Sequence, residues 1–450
     1  MKKLSILVIV ALLSTLFVLP ASAQSLTWTS GFQVQNLSPT TAASIFIYYY
    51  NQDGTEAIPP VSDTIPAMSS KTYFPIHAAD GFNGSVVVES TEPVVAIANT
   101  IGTGADNYKY WATTESFSAG ATSLGLPLIM RANSGFSTWF NVQNAGSTDA
   151  TVQVEYIPGS SGNAYNEPAV VIKPGASHTY QQAGLTALGD KFVGSAVITS
   201  DVPVVATVMQ VGAKTMLGYN GFAVGSTTVS LPLVMANNNG FFTGIQVQNV
   251  GASPTDITVD FGANIAGAFN PANETAALGP GESHTFLQNT GQFAADKYVG
   301  SATITTTGQP VVAIVNQLKG GTAPRGTAYD GFDPDAATTS VSAPLVMSNN
   351  NGYFTGIQVM NVGSTPVDIT IDYGPNTVAG STFNPVNETA TIQPGNSYNS
   401  LQNTGQFAVE RYIGSATVTG AAGSQIVMIV NQIKGGTAGD TFMTYNGFNY

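Results

Sequence analysis

Residues 240–251 read GFFTGIQVQNVG, and residues 352–363 repeat them almost unchanged as GYFTGIQVMNVG. These two segments belong to a longer duplication, in which the sequence of Thr228–Phe332 returns at Ser340–Phe448. A unit of this length exceeds the 20–50 residues that are typical of solenoid repeats. Each copy is therefore predicted to be a domain, and the chain to be a string of one domain type.

Two more divergent copies precede this pair. The Q-V-Q-N signature ends in an asparagine four times, and a Gly-Ser pair precedes an alternating segment four times at similar intervals. The asparagines are Asn36, Asn144, Asn249 and Asn361, and the glycines are Gly84, Gly194, Gly300 and Gly414. Because the two markers keep step, we predict four tandem repeats, here called the first to fourth, at residues 24–121, 122–227, 228–339 and 340–450. A glycine before the same strand each time predicts a β-bulge or a positive φ.

The hydrophobic pattern within a repeat has a period of two. Ile245 and Val247 alternate with Gln246 and Gln248, as in strands with one buried face and one wet face. Clusters of Gly, Pro, Asn and Ser separate such segments about every ten residues. In the third repeat, strands are predicted near residues 229–235, 243–249, 255–261, 273–278, 283–288, 299–306, 310–318 and 327–332. The predicted fold class is all-β, with four tandem immunoglobulin-like β-sandwich domains.

The N-terminus has the layout of a secretory signal peptide. Lys2 and Lys3 precede the apolar run Leu4–Pro20, and Ala21–Ala23 form a small-residue cleavage site. Cleavage is predicted before Gln24, which makes residues 1–23 a signal peptide and the mature chain a secreted protein, extracellular or at the cell surface. No later apolar run is long enough to span a membrane, so no transmembrane span is predicted.

The composition restricts the possible partners. The chain has no cysteine, which excludes disulfides and thiolate metal sites. Without Lys2 and Lys3, 11 basic residues face 26 acidic ones, a formal net charge of −15. Such a chain is not expected to bind nucleic acid or anionic lipid. Only 9% of residues are charged, which suits a protein that associates with itself, with other cell-surface components or with a neutral polysaccharide.

A second pattern follows the signature asparagine. In the third repeat, Asn249 and Gly251 are followed by a strand and then by LGPGES at residues 278–283. This N-x-G, strand, L-x-P-G-x-S order resembles bacterial extracellular sandwich domains, most closely the cell-adhesion-related domain found in bacteria. The second and fourth repeats match it, whereas the first has Leu37 and Ser38 after Asn36. The resemblance implies an immunoglobulin-like sandwich fold.

Candidate catalytic residues do not persist between repeats. His178 and His284 occupy one position, which Lys71 and Tyr398 hold in the other repeats, and no acid–base role survives that exchange. One acid recurs per repeat without an obvious carboxylate partner, and we interpret these acids as solvated loop residues: Glu56, Glu167, Glu274 and Glu388. No enzyme activity, cofactor or metal is therefore predicted. A calcium site between the third and fourth repeats, built from Asp330, Asp333 and Asp335, is left open.

Aromatic residues are the best candidates for ligand or interdomain contact. One aromatic residue precedes the signature in every repeat. In the third and fourth repeats a second aromatic residue stands directly after the first, and the six residues are Trp28, Phe136, Phe241, Phe242, Tyr353 and Phe354. Such rings either stack on sugars or pack against the adjacent domain. The predicted function is a non-catalytic, secreted structural or adhesion protein; the alternative is an array of carbohydrate-binding modules. The ligand, the anchoring route and the oligomeric state remain open.

Overall fold

The computed structural model of the protein describes residues 5–9, 26–321, 323–434 and 439–450. The predicted signal peptide therefore lies outside the described residues except for Ser5–Ile9. Apart from four 3₁₀ turns, the regular structure described is β, so the all-β prediction is confirmed. In the described part of the chain, no helix has the length and apolar character needed to cross a membrane. The chain divides into two compact units, one comprising Met1–Ala223 with Ala438–Asp440 and the other Val224–Thr437 with Thr441–Tyr450.

The strands of the first unit are numbered in chain order. β1 (Ser5–Ile9) precedes the first repeat, which contains β2 (Thr27–Asn36), β3 (Ala43–Asn51), β4 (Glu56–Ile65), β5 (Ser70–Tyr73), β6 (Gly84–Ser90), β7 (Val94–Thr103) and β8 (Lys109–Glu115). The second contains β9 (Ala121–Arg131), β10 (Ser137–Asn144), β11 (Ala150–Ser161), β12 (Tyr165–Asn166), β13 (Val170–Ile172), β14 (Ser177–Gln181), η1 (Thr186–Leu188), β15 (Phe192–Val211) and β16 (Met216–Asn220).

The second unit continues the numbering. The third repeat contains β17 (Thr228–Ala236), β18 (Phe241–Asn249), β19 (Thr255–Phe261), β20 (Glu274–Leu278), β21 (Ser283–Leu287), η2 (Gly291–Phe293), β22 (Tyr298–Thr306), β23 (Val311–Lys319), β24 (Arg325–Asp330) and η3 (Pro334–Ala336). The fourth contains β25 (Ser340–Ser348), β26 (Tyr353–Asn361), β27 (Val367–Tyr373), β28 (Glu388–Ile392), β29 (Ser397–Leu401), η4 (Gly405–Phe407), β30 (Tyr412–Gly420), β31 (Ile426–Lys434), β32 (Phe442–Asn446) and β33 (Phe448–Asn449). All eight strands predicted in the third repeat are present, and their bounds agree within two residues.

The third repeat forms two antiparallel sheets, ordered β17-β22-β19-β20 and β21-β18-β23-β24. Leu231, Ile257 and Ile304 from the first sheet, with Ile245 and Val315 from the second, join one core in which each is 0% exposed. The same two orders recur as β1-β6-β3-β4 with β5-β2-β7-β8, and as β28-β27-β30-β25-β33 with β29-β26-β31-β32. In the second repeat, β15 runs on through both sheets, so its strands join in one eight-stranded sheet.

The prediction of one wet face per strand is wrong for the signature strand. Gln246 and Gln248 are 2% and 0% exposed, although they alternate with core residues. Their side-chain amides are satisfied on the neighbouring edge: Gln246 Nε2 donates to Ser283 Oγ at 2.8 Å, and Gln248 Nε2 donates to the Gly281 carbonyl at 3.1 Å. Most buried side-chain amides in proteins have such partners, although the equivalent Gln358 of the fourth repeat is buried without one among the described residues. The signature thus marks a strand that is buried on both faces.

The signature asparagine is a turn-holding residue. In the third repeat, Asn249 Nδ2 donates to the carbonyls of Ser253 and Leu278 at 2.8 and 3.1 Å. Its Oδ1 accepts the Gly251 amide at 2.9 Å, which fixes the turn between two strands and satisfies buried backbone groups. Asn36, Asn144 and Asn361 do the same in the other repeats. In the first repeat the amide of Ser38 replaces that of glycine at 2.9 Å.

The recurring glycines lie at or near the start of strands β6, β15, β22 and β30, here called the β6-type strands, and only part of the prediction made for them is correct. Gly300 is not among the residues with positive φ, so that part of the prediction is wrong. An added Cβ would lie 2.7 Å from Tyr298 Cζ and 2.8 Å from the Ala263 carbonyl oxygen, closer than real Cβ atoms approach. A register shift does occur opposite it, between Leu231 and Val234 of β17. Glycine is therefore required by crowding beside a bulged partner strand.

A buried tyrosine anchors the first strand of the third repeat. The Tyr329 hydroxyl donates to the Leu233 carbonyl at 2.7 Å and accepts the Leu233 amide at 3.2 Å. These backbone groups lie at the bulge of β17, where ladder pairing is interrupted. The same pair of bonds joins Tyr219 to Leu128 in the second repeat and Tyr445 to Leu345 in the fourth.

Candidate functional site

In the second to fourth repeats, the aromatic residues follow a tight turn whose conformation is fixed. In the third repeat, Asn237, Asn239 and Gly240 adopt φ angles of 47°, 53° and 84°, a conformation that asparagine and glycine tolerate best. Asn237 Nδ2 donates to the carbonyls of Phe293 and Asp296, both at 2.9 Å. The asparagine side chain is therefore committed to its own repeat and is not offered to a ligand.

Two of the predicted contact rings pack against the neighbouring repeat of their own unit. The Trp28 and Trp139 centroids lie 6.0 Å apart with the rings at 87°. Phe241 meets Phe442 of the fourth repeat at 5.4 Å and 74°. Both are edge-to-face contacts, a favourable geometry for aromatic pairs.

Contacts within their own repeats also cover several of the aromatic rings in part. Lys319 Nζ lies 5.1 Å from the Phe241 ring centroid, and Lys434 Nζ lies 5.2 Å from that of Tyr353. Phe136 lies over Gly212, where an added Cβ would be 2.7 Å from the ring. All six aromatic residues singled out from the sequence are half-buried: Trp28, Phe136, Phe241, Phe242, Tyr353 and Phe354. They do not form an open platform of the kind on which a sugar stacks.

A buried polar cluster joins the third and fourth repeats. Gln317 Nε2 donates to Asn431 Oδ1 at 3.1 Å and to Thr444 Oγ1 at 3.0 Å. Asn431 Nδ2 returns a bond to Gln317 Oε1 at 3.1 Å. The three residues are 0%, 8% and 1% exposed. A satisfied polar network of this kind specifies one docking geometry, because any sliding would leave buried amides without partners.

Within each unit, equivalent hydrogen bonds join its two repeats. Asn446 Nδ2 donates to the Asp330 carbonyl at 2.7 Å, and the corresponding Asn220 Nδ2 donates to the Glu115 carbonyl at 3.1 Å. A serine hydroxyl of the β6-type strand likewise donates to a glycine carbonyl of the next repeat. The two pairs are Ser85 with Gly175 and Ser301 with Gly395. Within each unit, therefore, neighbouring repeats dock through the same positions.

The recurring acids are not loose loop residues, so that interpretation is wrong for most of them. Glu167 accepts the Tyr156 hydroxyl at 3.1 Å, and Glu388 accepts those of Tyr373 and Ser400 at 3.0 and 2.6 Å. Burial raises the pKa of Glu167. In the third repeat, where phenylalanine replaces this tyrosine, Glu274 accepts Gln292 Nε2 at 3.1 Å. Among the four acids, only Glu56 is exposed as predicted.

A shallow pocket of about 120 Å³ lies beside Glu167. Glu155, Asn166 and Thr199 contribute to its lining. Pockets that hold organic ligands usually measure about 300–1,000 Å³. Its lining contains no histidine, cysteine or lysine that would act as a base or nucleophile beside the carboxylates.

The histidines, and the aspartates of the candidate calcium motif, occupy structural positions. His178 and His284 pair across strands with Val142 and Val247, as the exchange for Lys71 and Tyr398 predicts for a cross-strand position. Asp333 Oδ1 accepts the Asp335 amide at 3.1 Å and caps η3. Among the described residues, no three His, Asp or Glu side chains are grouped so as to hold a metal ion. The question of a calcium site at these aspartates, which the sequence leaves open, stays open.

Comparisons with known proteins give no family assignment. No protein-family model matches the sequence, and a comparison with characterised proteins finds no match. Among solved structures, one titled Thermotoga maritima 1070 is 21% identical over 23% of this chain and 94% of its own, with a TM-score of 0.20. A tetra-tandem repeat from the extending region of a large adhesion protein is 12% identical over 95% and 96%, with a TM-score of 0.09. A glycoside hydrolase family 32 protein from Bifidobacterium adolescentis is 8% identical over 94% of both chains, with a TM-score of 0.14.

Proposed function

We propose that the chain is an exported, non-catalytic protein of the cell surface, with a structural or adhesive role. It is built of four tandem immunoglobulin-like β-sandwiches similar to the cell-adhesion-related domain found in bacteria. The observation that carries this proposal is the repeated docking within each unit through equivalent buried bonds, Asn220 with Glu115 and Asn446 with Asp330. Such bonds make neighbouring modules stiff, and stiff repeated modules provide reach and multivalency.

Several polar residues of the repeats are engaged in structural hydrogen bonds rather than placed for catalysis. Gln317, Asn431 and Thr444 satisfy one another, and Glu167 is occupied by Tyr156. An acyl or glycosyl transfer site would need a nucleophile or a second carboxylate placed beside such groups. The proposed partners are further copies of the chain or other components of the cell surface. Polysaccharide binding through the aromatic residues is not favoured, because Trp28 and Phe241 already pack inside their units.

Cell fractionation tests retention by non-covalent association. Washing cells with a chaotrope or with high salt should release the full-length mature chain, and the released protein should assemble into filaments or a lattice in electron micrographs. Release only by detergent would contradict the proposed attachment. A monodisperse protein that binds no surface component would contradict the proposed role. Glycan binding that is lost in the double variant Phe241→Ala and Tyr353→Ala would instead establish the carbohydrate-binding alternative.

A further inference from the structure

The first repeat differs from the others in the origin of its first strand. In the second to fourth repeats, β9, β17 and β25 pair antiparallel with β15, β22 and β30. In the first repeat, β6 is the strand equivalent to β15, β22 and β30. It pairs with β1, which lies inside the predicted signal peptide. The register is the same, since Ile9 lies opposite Val86 where Leu231 lies opposite Ala302.

The mature sequence has no segment to replace β1. Cleavage before Gln24 leaves three residues ahead of β2, which begins at Thr27. In the third repeat, by contrast, the nine-residue β17 precedes β18 with a connection of four residues. The first repeat of the mature protein therefore keeps β6 as an open sheet edge, with unpaired backbone donors and acceptors along it.

The residues that hold a first strand in the other repeats are also absent here. Tyr329 anchors β17 through Leu233, but its counterpart in the first repeat is Thr114. Gly331 makes room for β17, because an added Cβ would lie 2.6 Å from Val229 Cγ1. Its counterpart in the first repeat is Ser116. Two independent positions thus distinguish the first repeat from the repeats that carry their own first strand.

We propose that β6 of the mature protein is an acceptor edge for an extended segment of another protein, added as an antiparallel strand. The inference rests on the proposed export and cleavage, and goes beyond the proposed function by naming where a partner binds. The bound segment would be alternately apolar, because its register positions are those of Val229 and Leu231, which are 3% and 0% exposed in the third repeat. Backbone bonds would supply affinity and alternate side chains specificity.

A second copy of the chain is not a sufficient donor. Each mature chain contains four edges of the β6 type (β6, β15, β22 and β30) and three strands that close them (β9, β17 and β25). If one copy lends a strand to another, it opens an equivalent edge of its own. The donor must therefore be a segment of a different protein, as in other cases of strand addition to a sheet edge.

The experiment uses the mature chain, residues 24–450, and a synthetic peptide of residues 2–10, whose two lysines keep it soluble. Peptide binding should slow hydrogen exchange of the β6 amides at least tenfold and leave the β22 amides unchanged. The same peptide with Leu7→Pro should have no effect, because proline removes a ladder donor and breaks strand pairing. A matched protein control carries residues 227–240 grafted directly ahead of Trp28 together with Ser116→Gly, which gives the grafted strand the space that Gly331 gives β17. The graft closes the edge within the chain, so this control should not respond to the peptide.

Three results would overturn the inference. The first is unchanged β6 exchange in the mature chain on addition of the peptide, and the second is equal protection of the grafted control. The third is an exported protein that begins at Met1, because β1 would then close the edge permanently. A retained leader would contradict the open edge but not the proposed surface role. Loss of surface attachment would contradict the surface role but not the peptide result, so the two failures are distinguishable.

Discussion

Crowding at Gly300 gives a direct test of how the β6-type strand is built. The substitution Gly300→Ala places a methyl group 2.7 Å from Tyr298 Cζ and 2.8 Å from the Ala263 carbonyl oxygen. Tyr298 is 0% exposed, and its hydroxyl oxygen lies 2.9 and 2.8 Å from the carbonyl oxygens of Gly262 and Ser301, which share its single proton. The ring can therefore make room only by breaking this buried hydrogen bond.

The expected cost follows from these contacts. Inserting a methyl group into a closely packed site costs about 1–3 kcal/mol, and a weakened buried hydrogen bond adds to it. The matched control is Gly320→Ala in the same repeat, where no atom lies within 4 Å of the added Cβ and φ is not positive. There the substitution should be neutral or should stabilise by about 0.4–1 kcal/mol, because it restricts the unfolded chain.

Urea denaturation followed by circular dichroism measures the total effect, and hydrogen exchange with mass spectrometry locates it. Gly300→Ala should lower the free energy of opening for peptides that cover β22 (Tyr298–Thr306), whereas Gly320→Ala should not. Unchanged protection of β22 in Gly300→Ala would refute the crowding argument. Equal destabilisation by the two variants would refute it as well, since only one of the sites is crowded.

Three further predictions address single contacts. Tyr298→Phe should destabilise the protein by about 1–3 kcal/mol in urea denaturation, because the hydroxyl proton that two buried carbonyls share is lost; an unchanged midpoint would contradict this. Trp139→Ala should destabilise the first unit by about 3–5 kcal/mol, a large-to-small loss that includes the edge contact with Trp28, and intrinsic fluorescence during thermal unfolding checks it. Burial raises the pKa of Glu167 in the folded state above its unfolded value near 4.3. Its contribution to stability is therefore fully present below about pH 4.3 and is lost as the pH rises through the folded pKa. The stability of Glu167→Gln relative to the natural protein should accordingly increase between pH 4 and pH 7, and parallel pH profiles would contradict the assignment.

The strand positions could be predicted because the hydrophobic period is local. β19 shows this clearly: Ile257 and Val259 are buried, while Asp256 and Asp260 are exposed. The fate of the glutamines could not be predicted in the same way, since Gln246 is buried by partners on another strand. Alternation states which residues share a face, but it does not state whether the polar face meets water.

The uses of the recurring acids also depend on distant residues. Glu167 is eleven positions from Tyr156, and Glu388 accepts a hydroxyl from Tyr373, so the pairing needs the strand register. A signal was present in the sequence, because tyrosine and acid recur together in the second and fourth repeats and the tyrosine is Phe261 in the third. The cause of Gly300 was not accessible, since the crowding comes from the Ala263 carbonyl and the Tyr298 ring.

The proposed absence of a first strand from the mature first repeat, in contrast, can be derived from the sequence once the repeats are aligned. SLPLVMANNNG at residues 230–240 precedes the signature of the third repeat, and SAPLVMSNNNG at 342–352 precedes that of the fourth. Nothing similar stands between Gln24 and Trp28. When a sheet edge is covered, its backbone groups are protected. When it is uncovered, its unpaired N–H and C=O groups form a template to which another strand can pair. The first repeat also has Thr114 where a strand-anchoring tyrosine would lie, so the proposed open edge is supported by the sequence of the first repeat itself as well as by the position of β1 in the predicted signal peptide.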